Sequence, residues 1–113
     1  MATAVNAQLK RAGKDAAVGD PDSVIRVAID GTPQGLQLIR DGALDATVSQ
    51  PLSAYATKTA ELIELVSNGG TIELGPKPDG QVIDTPVGPQ YQLNATLVTK
   101  ENVDAPGLWA NQL

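Results

Sequence analysis

Apolar residues recur along this chain first at helical spacing, then as a short unbroken run, and the alternation between the two predicts its elements. From Met1 to Gly13, the residues Ala4, Val5, Gln8, Leu9 and Ala12 fall near one helical face, and Gly13 stands where a helix stop is expected. This helix opens with almost no N-terminal cap. After the polar connector Lys14–Ser23, the β-branched run Val24–Ile29, interrupted only by Arg26, predicts a parallel strand covered on both faces. Thr32-Pro33 then gives a helix start, with Thr as N-cap and Pro at the first helical position, where its missing N–H costs nothing. Leu36, Leu38 and Ile39 follow before Asp41-Gly42 ends the element. Leu44–Ser49 reads as the next strand. Pro51–Asn68 is the longest predicted helix, with Leu52, Tyr55, Ala56, Thr59, Leu62, Ile63 and Val66 spaced by threes and fours ahead of Asn68-Gly69-Gly70.

From Thr71 onward the texture changes. Gly75, Pro76, Pro78, Gly80, Pro86, Gly88 and Pro89 exclude helix over most of the stretch and leave Gln81–Asp84 and Gln92–Thr99 as the expected strands. The tail Glu101–Asn111 predicts a short turn or helix anchored by Trp109. The strand-turn-helix-strand order of the first half points to the α/β class.

With 113 residues the chain can form one small domain at most, whose core is modest. Aromatic content is 3%, with no Phe, so packing must rest on Ala, Val, Leu and Ile. A net charge of -5 with only eight scattered basic residues argues against a nucleic-acid partner, because phosphate binding needs clustered Lys and Arg. The absence of Cys and His removes the thiolate nucleophile, the commonest general base and the commonest zinc ligand. A hydrolase would want a serine elbow with His, and neither is present, so no catalysis and no cofactor or metal are expected. No Gly-x-Gly-x-x-Gly fingerprint or phosphate loop occurs. No apolar run reaches the length of a membrane span, and the first residues lack the order of a signal peptide.

Two polar residues close the predicted strands of the first half, Asp30 and Gln50. In an open parallel sheet, side chains at the carboxyl ends of strands line the ligand crevice, so both could face one small polar molecule. Each also has a structural reading. Asp30 can serve the helix that follows as a cap, and Gln50 is an ordinary strand-end residue before Pro51. Glu61 and Glu64, beside Lys58, read as a solvated helix face rather than an acid-base pair. Trp109 reads as a pin for the tail, or as a platform on which a sugar stacks.

The stretch Val27-Ala-Ile-Asp-Gly-Thr-Pro-Gln-Gly-Leu-Gln-Leu-Ile-Arg-Asp-Gly-Ala-Leu-Asp-Ala-Thr-Val-Ser-Gln-Pro51 closely resembles the C-terminal part of ribose-type periplasmic sugar-binding proteins, the solute receptors of bacterial sugar ABC transporters. The opening Met1–Lys14 is similar to the helix that leads into that strand in the family, and Leu97-Val-Thr-Lys-Glu-Asn-Val-Asp to its C-terminal segment. Thr71–Tyr91 is only loosely similar. The resemblance implies a doubly wound parallel-sheet, two-lobed fold, incomplete in this chain. Residues 1–50 would be part of the C-terminal lobe, 51–92 would cross the hinge and join the N-terminal lobe, and 93–113 would return to the C-terminal lobe and end as a tail.

The resemblance further implies that Asp30 takes a pair of vicinal sugar hydroxyls and Gln50 donates to the sugar near the hinge. An ionised carboxylate accepts from two hydroxyls at once, and an amide both donates and accepts. The ligand would be a sugar or polyol, bound without turnover in the periplasm. The partners would be the remaining N-terminal part of the receptor and the membrane permease of the transporter. The family's Asn ligand, which usually precedes the first helix, is absent, so a complete sugar site is not expected from these residues alone. A chain of this kind is expected to carry unpaired strand edges and uncovered apolar helix faces. The effector-binding core of a bacterial repressor like the lac repressor, which shares the fold, is the alternative reading.

Overall fold

The computed structural model describes all 113 residues, and the chain divides into two compact units, Met1–Gln50 with Thr96–Leu113, and Pro51–Ala95. It is mixed α/β, with two small three-stranded sheets, one in each unit.

The first unit opens with helix α1 (Ala2–Arg11), which has no side-chain cap at its start and ends before Gly13, at φ +64°. Strand β1 (Val27–Asp30) is shorter than the β-branched run predicts. The break falls at Arg26, whose backbone N–H donates to Asp45 Oδ2 at 2.7 Å and whose Nη2 donates to the Ala16 carbonyl at 2.9 Å. These bonds engage its N–H and side chain away from the strand, while its carbonyl accepts from the Asp45 and Ala46 N–H groups at the start of the next strand. Helix α2 (Pro33–Arg40) starts as its sequence dictates: the Thr32 hydroxyl accepts from the Gly35 N–H at 3.1 Å, and Pro33 follows the cap. Strand β2 (Ala46–Ser49) pairs in parallel with β1, and β6 (Thr96–Val98) pairs antiparallel with β2 on its other side.

The expectation of a strand buried on both faces fails at β1. Val27 and Ile29 are largely exposed, because β1 lies at the sheet edge and nothing in the chain covers the face they occupy. The core of this unit instead lies under α2 and the C-terminal tail, where Leu36, Ile39, Leu44, Val98, Val103 and Leu108 are buried together. Arg40 fastens that tail. Its Nε pairs with Asp104 at 2.8 Å and its Nη2 donates to Asn111 Oδ1 at 3.0 Å, while Asn111 Nδ2 donates to the Val103 and Ala105 carbonyls. The tail ends in a 3-10 turn at Trp109–Asn111.

The second unit holds helix α3 (Leu52–Ser67) and the antiparallel sheet β3 (Gly75–Lys77), β4 (Gly80–Ile83) and β5 (Gln90–Leu93). Helix α3 follows its predicted span closely, yet none of its residues is buried. The predicted strand Gln92–Thr99 is broken into β5 and β6, which belong to different sheets. At the break, the Asn94 N–H still donates to the Asp79 carbonyl at 2.9 Å, in register with the β4–β5 ladder, before the chain passes to β6 in the other sheet. Strand β3 forms in a stretch where helix was excluded and no strand was expected. Pro76 is tolerated there because β3 is an edge strand, so the missing N–H faces no partner.

Candidate functional site

The parallel register brings the two sequence candidates to neighbouring positions. Asp30 pairs with Ser49, and Gln50 follows directly, so both leave the sheet at the carboxyl ends of adjacent parallel strands. Only these two strands run in parallel, so the crevice they create is local.

Asp30 is exposed and is the only non-glycine residue of the chain with positive φ, at +94°. Side-chain-bearing residues avoid this region, and such strain persists where surrounding structure enforces it, often at ligand sites. The enforcing structure here is Gly31. Its φ is +60°, and it packs so closely on β2 that an added Cβ would lie 2.6 Å from Ser49 Cβ and 2.7 Å from Ser49 Cα. The strand-to-helix turn therefore bends sharply at Asp30-Gly31, and Asp30 is exposed there. Capping of α2 falls to Thr32, not Asp30. The main chain of Asp30 is fixed in turn by Trp109, whose indole Nε1 donates to the Asp30 carbonyl at 3.1 Å. Trp109 thus pins the tail, as one of its two readings expects.

A cleft of about 620 Å³ runs alongside β1, between α1 and the start of α2. Its lining includes Asp30, Thr32 and Gln34 together with Val5, Ile25 and Val27. Gln50 is half-buried and does not line this cleft. The cleft also holds Arg26, only 8% exposed, and Asn6. Arg26 Nε and Asn6 Oδ1 are buried there without hydrogen-bond partners.

The second unit carries a constellation the sequence did not disclose. Lys58 Nζ on α3 pairs with Glu61 Oε2 at 2.7 Å and Asp79 Oδ2 at 3.4 Å, and lies 5.2 Å from the centre of the Tyr91 ring. Asp79 also accepts from the Tyr91 hydroxyl. These residues edge an open hollow of about 730 Å³. The Glu61 hydrogen bond, followed by the Asp79 interactions, pushes the Lys58 pKa up to about 12. The Tyr91 hydrogen bond holds the Asp79 carboxyl below its ordinary value, and the same bond raises the Tyr91 phenol. At neutral pH this leaves a charged ammonium, a charged carboxylate and a neutral phenol, each already engaged, which is a clip between α3 and the β-hairpins rather than a poised base or nucleophile. Glu61 remains on the exposed helix face, as its spacing from Lys58 indicates. Only that i,i+3 pair is legible in the sequence, since Asp79 comes from the β3–β4 turn and Tyr91 from within β5.

No group of three or more acidic, His or Cys side chains is placed to hold a metal ion. No helix is long and apolar enough to cross a membrane. No protein-family model matches the chain, and no curated protein matches it.

Proposed function

We propose that this chain forms the C-terminal part of a periplasmic receptor that binds a sugar or polyol for uptake by an ABC transporter, with Asp30 and Gln50 as ligands and no catalytic turnover. The observation that carries the reading is the strained Asp30-Gly31 turn at the end of a parallel strand. It holds an exposed carboxylate beside Gln50, in the same short motif on which the family resemblance rests. Charge-assisted hydrogen bonds from two adjacent hydroxyls suit a fixed carboxylate, and the amide of Gln50 adds a donor and an acceptor. The division of the chain after Gln50 and again after Ala95 is compatible with a two-lobed receptor, in which closure on the ligand shifts an open-closed equilibrium read by the permease. The remaining N-terminal part of the receptor supplies the other ligands and is the partner this reading requires.

Calorimetric titration of the intact gene product with pentoses, hexoses and cyclic polyols tests it. Binding of one of these is expected, with Asp30→Ala weakening it about 100-fold or more and Gln50→Ala about tenfold, since each removes hydrogen bonds to a buried ligand. Heat from none of the sugars, or binding that survives Asp30→Ala unchanged, contradicts the reading.

A further inference from the structure

Asparagine stands at positions 6, 68, 94, 102 and 111, and only Asn68 is followed by glycine. An asparagine is lost when the backbone nitrogen of the next residue attacks its side-chain amide carbon. A Cβ on that next residue crowds the approach, and glycine has none. The surroundings separate these residues further. Asn6 Nδ2 donates to the Ala43 carbonyl, Asn102 bonds the Thr99 N–H and the Leu97 carbonyl, and Asn111 is held by Arg40, Val103 and Ala105. Asn94 is exposed but precedes Ala95. Asn68 and Gly69 are both exposed, at the end of α3, a helix with no buried residue. Asp30, Asp41 and Asp79 also precede glycine, but a carboxylate oxygen leaves far less readily than ammonia.

We infer that Asn68-Gly69 is a site of spontaneous covalent modification, where Asn68 converts to aspartate and isoaspartate at a rate set by the closed end of α3. In the first step the Gly69 nitrogen gives up its proton and bonds to Asn68 Cγ. The Cγ–Nδ2 bond breaks, and Nδ2 leaves with that proton as ammonia, closing a five-membered succinimide. Water then opens the ring. Attack at Cγ breaks the new bond to Gly69 and leaves aspartate, while attack at the Asn68 main-chain carbonyl breaks the original peptide bond and leaves isoaspartate. No oxidant or cofactor enters. The attacking nitrogen is engaged in the folded chain, because the Gly69 N–H donates to the Val66 carbonyl at 3.0 Å. Its neighbours close the same turn, Asn68 N–H on Glu64 at 3.1 Å and Gly70 N–H on Leu65 at 2.9 Å, with Gly69 at φ +78°. Attack therefore awaits opening of this last turn, which costs little where the helix buries no side chain. The product carries a carboxylate at the negative end of α3, whose last turn has no basic residue to offset it. Isoaspartate also adds a methylene to the main chain, which displaces the Gly69 and Gly70 bonds. This inference does not rest on the sugar reading.

Storage of the purified chain in mildly alkaline buffer, followed by ion-exchange chromatography and peptide mapping by tandem mass spectrometry, tests the inference. A form one charge unit more negative than the starting net charge of -5 is expected to accumulate. Asn68 is expected to convert ahead of the other asparagines, with isoaspartate present beside aspartate. Conversion is expected to be faster in urea, where the bonds closing α3 are gone. Asn68→Gln, which would have to close a less favourable six-membered ring, is expected to abolish the early acidic form. Amide exchange of the converted chain is expected to show protection lost at Gly69 and Gly70. No acidic form, first conversion at another asparagine, an acidic form that persists in Asn68→Gln, or a rate unchanged in urea overturns the inference.

Discussion

The two units solve the problem of a small core in different ways. The first, Met1–Gln50 with Thr96–Leu113, packs six buried aliphatic residues under α2 and the tail. The second, Pro51–Ala95, buries Val82 as its only large apolar side chain and leaves α3 with no buried residue at all. Its order rests on antiparallel ladders and on the polar clip Lys58, Glu61, Asp79 and Tyr91. The contrast teaches that an apolar period of three and four specifies a helix without guaranteeing its burial. It also predicts that the first unit is the more sensitive to lost volume.

The aromatic residues make the contrast measurable, because the single Trp, Trp109, lies in the first unit and both Tyr residues, Tyr55 and Tyr91, lie in the second. Leu36 is fully buried, so Leu36→Ala is expected to cost about 2–5 kcal/mol in urea unfolding followed by Trp109 fluorescence. Val82→Ala is expected to cost roughly 1–2 kcal/mol, seen in the tyrosine signal. Equal displacement of both signals by either variant breaks the distinction between the units.

A second pair of variants sharpens the account of the Asp30 turn. Gly31→Ala meets both an unfavourable φ and the close approach to Ser49, and is expected to cost about 2–3 kcal/mol by the Trp109 signal. Gly13→Ala has a similar φ of +64° but open space around it, and is expected to cost only about 1 kcal/mol. Equal costs contradict the claim that Gly31 is fixed by its contact with β2.

The smallest expected effect is the pH response of the second unit. Lys58 and Tyr91 have raised pKa values, so their contribution is fully present below their unfolded pKa values of about 10.5 and 10 and is lost as pH rises through the folded ones. For Lys58 that loss falls between about 10.5 and 12. Asp79 is lowered, so its contribution is present above the ordinary aspartate value of 3.8 and is lost as pH falls through its folded pKa. The groups are solvent-accessible, so the change is small. Amide exchange of β4 and β5 should show protection reduced at both extremes, with the acid response abolished in Asp79→Asn. An unaltered acid response in that variant contradicts the assignment.

Much of this was legible in the residues themselves. Thr32-Pro33 fixed the start of α2, the spacing of Leu52 to Val66 fixed α3, and the runs ending at Asp30 and Gln50 fixed two parallel strands and their polar ends. The hidden features depend on long-range partners. The Arg26 N–H is taken by the Asp45 side chain, 19 positions away, and the predicted strand Gln92–Thr99 divides because its two halves pair into different sheets. Pro76 joins a strand only because no neighbour lies on its outer side. The left-handed turn at Asp30 is dictated by Gly31 against Ser49, a contact between residues 18 positions apart.

The most direct test of the proposed function follows backbone amide resonances of the isotope-labelled intact gene product during titration with the sugars and polyols used in calorimetry. The account predicts progressive shifts centred on Asp30, Gly31 and Gln50 with one of these ligands, while Lys58, Asp79 and Tyr91 remain in place. Shifts centred on the Lys58 cluster, or none with any of the ligands, would contradict it.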